Sequence, residues 1–522
     1  METQRRDFLK TLSAGALAPA LQGSARNGKP NVVIIMSDQH RAGFTRRSGY
    51  AVDTMPALDR LAGRGVAFER AYTTAPLCVP ARISMLTGRW PHAHRVRQNS
   101  APRHAYFEKD IFQVLKGAGY KTGLSGKNHS HLTEKSVDFW RPYSHSSGWK
   151  PEPAPKEYIE FDKWMQHLNF GVGQEPTPFP AEVQYPYRIV SNAIEFVQSA
   201  GDQPFALWVS FPEPHNPYQV PKPYFDMFPP DSVPPRHVGP EAQKIKGFKW
   251  EWLGQLEESV YPGYNNYWQR TLSNYLGMLR LIDDQVNRFI GHLDKSGTLD
   301  NTIVVYLADH GDYCTDYGLM HKGTELPEVL TRIPMVWAGP GIRPQTNHPA
   351  FISLADVMPT LCEAAGVEVP HGVQGRSIWP LLQGKEYPRE EFESIYSEVG
   401  FGGLNYVRGD DIDPRWGHIP GAPGAIPSFD ELNPVTQSGN MKMVRRGDWK
   451  LIYDMMGNGQ LYNLAQDPYE LKNLFGNPQA AAMQSQLMAE LLRWTIRTQD
   501  DLPIAAYQAK WAKRNWYANY RK

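Results

Sequence analysis

Four uninterrupted apolar runs constrain this chain most: NVVIIMS (31–37), PFALWVSF (204–211), TIVVYLA (302–308) and IPMVWAG (333–339). A strand with one wet face alternates apolar and polar side chains, whereas a run that is apolar throughout must be covered on both faces. The segments between these runs carry helical spacing. Residues 54–64 read as a helix with Pro56 in its first turn, and 66–73 as a strand. A helix at 110–119 leads into a strand at 120–126, a helix at 187–199 precedes the run at 204–211, and another is expected at 354–365. The longest helix is expected from Gln269 to Leu293, with Leu272, Leu276, Leu279, Ile282, Val286 and Ile290 on one face. Strands interleaved with helices give an α/β fold, a large, mostly parallel or mixed sheet sandwiched by helices.

Near residue 390 the texture changes. Residues 398–440 are rich in Gly, Pro and Asn and too long for an idle connector. MKMVRRGDWKLIYD (441–454) then alternates as a hairpin, GQLYNL (459–464) reads as a further strand, and a helix is expected at about 478–497. The expected organisation is therefore a main α/β catalytic domain over 29–390 and a C-terminal subdomain over 391–522, a small antiparallel sheet plus helix. Segments 138–186 and 212–268, rich in Trp, Tyr and Pro, read as ordered insertions that could wall a cleft.

Residues 1–28 read as an address. Arg5-Arg6-Asp7-Phe8-Leu9-Lys10 precedes the apolar stretch TLSAGALAPAL (11–21), the layout of a twin-arginine export signal. That stretch is far below the roughly 20 residues needed to cross a bilayer, and no later segment is long enough. The expectation is a periplasmic or secreted protein that meets the twin-arginine export machinery and has no integral membrane span. Charge is balanced, with 55 Lys and Arg against 54 Asp and Glu, which argues against a nucleic-acid partner. Three cysteines, Cys78, Cys314 and Cys362, are too few for a disulfide scaffold.

Open α/β sheets place ligands at the carboxyl ends of their strands. Two such ends are acidic here: Asp38, followed by Gln39, and Asp309-His310-Gly311-Asp312. Mostly oxygen donors suit Ca²⁺ or Mg²⁺, and the set does not suit a structural zinc site. Cys78-Val79-Pro80-Ala81-Arg82 puts a cysteine on a turn with a helix opening behind it, so that backbone N–H groups face an anion and Arg82 sits one turn inward.

Cys78-x-Pro80-x-Arg82 followed by Leu86-Thr87-Gly88 resembles the signature of the type I, formylglycine-dependent sulfatases of the alkaline-phosphatase-like superfamily. Further matches come in the family's order: Gly119-Tyr120-Lys121-Thr122 through Gly126-Lys127-Asn128-His129, Pro214-His215-Asn216-Pro217, Asp309-His310-Gly311, and Gly318-Leu319-Met320-His321-Lys322-Gly323. Gly375-Arg376-Ser377 and the segment from Lys450 to Leu474 complete the set, which spans roughly residues 30 to 500. The resemblance implies an alkaline-phosphatase-like fold and oxidation of Cys78 to Cα-formylglycine by a formylglycine-generating maturation enzyme. It implies a metal, usually Ca²⁺, at Asp38, Gln39, residue 78, Asp309 and His310. Gln39 stands where many members have Asp and His310 where others have Asn, so the site carries one fewer carboxylate. Ala81 replaces the commoner Ser, and Asn128 replaces an aromatic.

The implied catalytic set is Cys78, Arg82, Lys127, His129, His215 and Lys322. A sulfate ester gathers charge on its oxygens during attack, so the site needs cations arranged in advance. The hydrated aldehyde at residue 78 attacks sulfur, His215 or Lys322 protonates the leaving alcohol, and His129 takes the proton of the second hydroxyl as sulfate departs. His321 and Asp312 lie beside these positions with less defined roles. Sulfated carbohydrates are the expected substrates, and Arg408, Arg415 and His418 are either contacts for a polyanion or ordinary solvated charges. Two alternatives stand beside this reading. One is a phosphodiesterase or phosphonate monoester hydrolase of the same superfamily. The other is a silent glycan-binding protein, which would need losses at the nucleophile, metal or lysine positions that the sequence does not show. Whether Cys314 and Cys362 pair is left open.

Overall fold

The computed structural model describes residues 28–410 and 432–499. The export-signal motif, Arg415 and His418 lie outside the described residues. The apolar runs form the centre of a nine-stranded sheet. Its strands are β1 (Asn31–Asp38), β2 (Gly65–Tyr72), β3 (Lys121–Lys127), β4 (Phe139–Tyr143), β5 (Phe205–Pro214), β6 (Thr302–Ala308), β7 (Arg332–Ala338), β8 (Gln345–His348) and β9 (Ile352–Ser353). The order is β4-β3-β5-β1-β6-β7-β2-β8, with β9 beside β2. From β4 to β6 all neighbours run parallel. β7 runs antiparallel to both β6 and β2. After β6 the chain stays at that strand's carboxyl end through residues 309–331, with no crossover helix, and so re-enters the sheet in the opposite direction.

Both faces are covered, as continuous apolar strands require. Val33 and Ile35 of β1 enter one core with Leu207, Val209, Val304 and Tyr306; Val32, Ile34 and Met36 enter the other with Ala206, Trp208, Ile303 and Val305. The helix Trp268–Lys295 seals the first face with Leu272, Leu276, Leu279, Ile282 and Val286. The helices Ile111–Gly117 and Val357–Ala364 contribute Phe112, Leu115, Val357 and Leu361 to the second. Cys314 packs in the first core and Cys362 in the second, both as free thiols. The sheet therefore lies between them, and the pairing that the sequence leaves open is not made.

A separate four-stranded antiparallel sheet comes next: β10 (Ser394–Gly402), β11 (Gly439–Arg446), β12 (Trp449–Asp454) and β13 (Gly459–Asn463). The hairpin and β13 are the expected ones. β10 escapes detection in the sequence because its first seven residues are all buried, Ile395 in one cluster and Tyr396 in another, leaving no alternation to read. The helix Ala481–Gln499 packs Leu487, Leu491 and Trp494 against this sheet. The two aromatic insertions are ordered, one holding β4 and the helix Lys156–His167, the other the helix Phe248–Val260. Among the described residues no helix is long and apolar enough to cross a membrane.

Candidate active site

Because β1 and β6 are parallel neighbours, Asp38 and Asp309 emerge side by side at their carboxyl ends. The chain turns sharply there: Gln39 has φ +67°, and its backbone N–H donates to Asp309 Oδ1 at 3.0 Å. The helix Cys78–Thr87 is buried along its whole length and presents Cys78 as its first residue. Cys78 Sγ lies 3.7 Å from Asp38 Oδ1 and 3.2 Å from His310 Nε2. Ligating atoms of Asp38, Cys78, Asp309 and His310 all lie within 4.8 Å of one another, and all four residues are buried. His310 Nδ1 donates to the Gly311 carbonyl at 2.9 Å, which turns Nε2 toward the cluster, where a metal ion would take its lone pair. Burial lowers the pKa of His310, but Asp309 and Cys78 outweigh burial and raise it. Two carboxylates, an imidazole nitrogen and residue 78 fit a divalent cation.

Arg82 is at the site, but its guanidinium does not face the cleft. It is fully buried and donates to Asp309 Oδ2 at 2.8 Å, Asp38 Oδ2 at 3.0 Å, Ser210 Oγ at 2.9 Å and the Lys127 carbonyl at 2.8 Å. Its charge thus holds the two carboxylates in register rather than meeting an incoming anion. Gln39, expected among the metal ligands, has its amide engaged on both sides: Nε2 donates to Asp312 at 2.6 Å and Oε1 accepts from Lys322 at 2.8 Å. Asp312 also accepts from Tyr218, so its place is to fix Gln39. His321 stacks on Tyr218 at 5.4 Å in a fully buried pocket.

Gly126, at φ +123°, lets the end of β3 pass against the backbone of Ser210, where a side chain would clash, and this places Lys127. The Lys127 ammonium pairs with Asp38 and donates to His145 Nε2 at 2.7 Å. Lys322 mirrors it, donating to Gln39 and to His215 Nε2 at 2.9 Å. His215 in turn donates from Nδ1 to the Asn216 carbonyl at 2.8 Å. The rings of His145 and His215 stack at 3.7 Å, so the two lysines flank a pair of imidazole acceptors. His145 lies in the 138–186 insertion and belongs to no motif; Ser210, Tyr218 and Gln437 were equally silent in the sequence.

The charges result from this packing. Burial raises Asp38, but Lys127 and Arg82 outweigh it and hold the carboxyl well below its usual range. Burial and the adjacent Asp38 push Asp309 up. For Cys78, burial and Asp38 oppose ionisation, yet Lys127, Lys322 and His310 outweigh them and favour the thiolate. Burial and nearby Lys127 hold His129, beside Cys78, below the ordinary imidazole range. Burial, with neighbouring cations, does the same more strongly to His145 and His215. A cavity of about 370 Å³ opens over these groups, lined by His129, His145, His215 and Lys322.

A family model for sulfatases matches residues 30–367 and so covers every one of these positions except Gln437. The chain belongs to the sulfatase family. Among relatives of this sulfatase, a choline-sulfatase of Rhizobium meliloti is 27% identical over 487 residues, 88% of this chain and 85% of the relative. An N-acetylglucosamine-6-O-sulfatase of Bacteroides thetaiotaomicron is 23% identical over 567 residues, 96% of this chain and 92% of the relative. Among solved structures, a phosphonate monoester hydrolase of Agrobacterium radiobacter superposes with a TM-score of 0.73 at 22% identity, over 92% of this chain and 97% of that one. That likeness establishes the alkaline-phosphatase-like fold and nothing of the substrate. This sulfatase has Cys78, the acidic strand ends and the flanking lysines at one end of one sheet.

Proposed function

We propose that this sulfatase hydrolyses sulfate esters of carbohydrates, with residue 78 as nucleophile and a metal ion, Ca²⁺ by family habit, held by Asp38, Asp309 and His310. The observation that carries the carbohydrate reading is the lining of the cleft beyond the catalytic groups: Gln98, Asn99 and Ser100, all uncharged hydrogen-bonding residues, beside Phe170. Amides and a hydroxyl next to one aromatic ring suit sugar hydroxyls and a sugar face. A quaternary ammonium such as choline calls for an aromatic cage or a carboxylate, and among the described residues no carboxylate lines this cavity.

A bound divalent cation would polarise the sulfate and favour ionisation of the nucleophile. Oxidation of Cys78 to formylglycine would supply a hydrated aldehyde that regenerates after each turnover. The chain's own residues do the rest. Lys127 and Lys322 offer fixed positive charge to the sulfate oxygens. His215, neutral and with Nδ1–H committed to Asn216, accepts from Lys322 and leaves the mobile proton on that ammonium. Lys322 is therefore the proton donor to the leaving alcohol, with His215 as its orienting partner. His129, neutral and beside residue 78, is the base that takes the second proton. Export by the twin-arginine route belongs to this proposal too, motivated by Arg5-Arg6 and the apolar stretch behind them.

The test is inorganic sulfate release from a panel of sulfated mono- and polysaccharides, using protein co-expressed with a formylglycine-generating enzyme and a Cys78→Ala control. Release that is absent in the control supports the reading and names the substrate class. Silence across the panel, with conversion of Cys78 verified by mass spectrometry, would sink it and send the search to phosphodiesters and phosphonates.

A further inference from the structure

One wall of the catalytic cavity comes from the segment just before β11. Leu432 and Gln437 line it together with His129, His145, His215 and Lys322. Gln437 ends the short helix Pro434–Gln437, whose start is fixed by Asn433: Oδ1 accepts from the N–H groups of Val435 at 2.9 Å and Thr436 at 3.1 Å. The side chain is rigidly placed and 2% exposed. Its Nε2 donates at 2.5 Å to the carbonyl of Gly323, the residue after Lys322.

This bond decides the orientation of the amide. A carbonyl oxygen only accepts, so the NH₂ group must face Gly323 and Oε1 must face away from it. Oε1 is buried and has no hydrogen-bond partner among the described residues. A buried carbonyl left unpaired is costly, so an orphan acceptor on a residue that lines the catalytic cavity points to a donor that arrives with the ligand. An amide oxygen repels sulfate oxygens, which Lys127 and Lys322 already attract. The donor must therefore sit on the alcohol side of the ester.

We propose that Gln437 is a specificity-determining residue, its Oε1 accepting a hydrogen bond from a hydroxyl of the sugar that bears the sulfate. The inference rests on the carbohydrate reading above and deepens it: the substrate carries a free hydroxyl within reach of the scissile ester, and esters of alcohols without one are turned over without this contact.

The experiment uses matured full-length protein and 4-nitrophenyl sulfate, a small ester with no further hydroxyl, as reporter substrate. A set of galactose and N-acetylglucosamine monosulfates is titrated as competitors, giving an inhibition constant for each in the wild-type protein and in Gln437→Met. The expected result is that at least one sugar sulfate binds five- to tenfold more weakly to the variant, the scale of about one neutral hydrogen bond. Over the same pair, kcat/KM for the aryl ester should stay within about twofold, as expected when the catalytic groups keep their geometry. Unchanged inhibition constants would overturn the role of Gln437, and so would an equal fall for sugar and aryl esters, which would mark it as a support for Gly323 and Lys322. Should the Gln437→Met substitution destabilise the fold, the deoxy analogue of the best competitor replaces the variant: wild-type protein should lose the same factor on that analogue, and no loss would equally overturn the inference. Absence of any competition in the wild-type protein is a different outcome, and it would count against the carbohydrate reading itself.

Discussion

His145 shows how a single side chain can set the state of a catalytic group without any motif to announce it. Its Nε2 accepts a hydrogen bond from Lys127 at 2.7 Å, and its ring packs on that of His215. A phenyl ring preserves the stack and removes the acceptor. His145→Phe should therefore lower kcat about tenfold, the kinetic equivalent of one charge-assisted hydrogen bond, with KM and thermal stability little changed. Steady-state kinetics beside a melting curve will show whether the loss is confined to turnover. Glu213, near the carboxyl end of β5, offers a stability prediction. Its two carboxyl oxygens have no hydrogen-bond partner among the described residues, and burial pushes its pKa up to about 8. Between the unfolded value, near the ordinary 4.5, and about 8, the unfolded chain releases a proton that the folded chain keeps, so this group makes folding less favourable as pH rises. The slope is at most about 1.4 kcal/mol per pH unit. Glu213→Gln should match the wild-type protein at pH 4.5 and melt higher than it at pH 8, measured by thermal unfolding across that range.

Elements depend on one another through contacts that their own sequences do not contain. The helix Pro56–Gly63 has no side-chain cap from Met55 before it. Its first N–H groups are satisfied instead by Asp283 on the Trp268–Lys295 helix, which accepts from Ala57 at 2.8 Å and Leu58 at 2.9 Å. Asp283→Ala should cost about 1–2 kcal/mol, the worth of an N-cap, read as a shift in the denaturation midpoint. Local periodicity makes the elements themselves legible: the helix expected over 187–199 runs from Tyr185 to Ala200, and the strand expected at 302–308 is β6. β10 is illegible for the same physical reason that makes the others plain, since full burial on both faces erases the alternation that marks a strand.

At the scale of the whole molecule, buried ion pairs brace the main body and tie it to the C-terminal part of the chain. Arg376, 1% exposed, bonds Asp356 through Nε and Nη2 and the Phe351 carbonyl, and its guanidinium lies 4.4 Å from the Phe392 ring. Arg376→Ala leaves Asp356 buried without its partner and should destabilise the protein by about 3–5 kcal/mol, measured by equilibrium unfolding. Lys450 of β12 works similarly, reaching Glu328 of the main body at 3.1 Å and Glu470 at 2.8 Å.

Legible along the chain are the central strands of the main sheet, the long helix, the C-terminal hairpin, the sulfatase signatures around Cys78 and the acidic strand ends at Asp38 and Asp309. These are written in residue type and short-range period, which act over a turn or a strand. Tertiary structure decided the reversed direction of β7, the separation of Cys314 from Cys362 by the sheet, and the turn of Arg82 toward the carboxylates. It also decided the pairing of Lys127 with His145, 18 residues away, and of Gln437 with Gly323, 114 residues away. Hydrogen-bond partners in a buried site are chosen by which backbones the sheet brings together, and no local pattern along the chain records that choice.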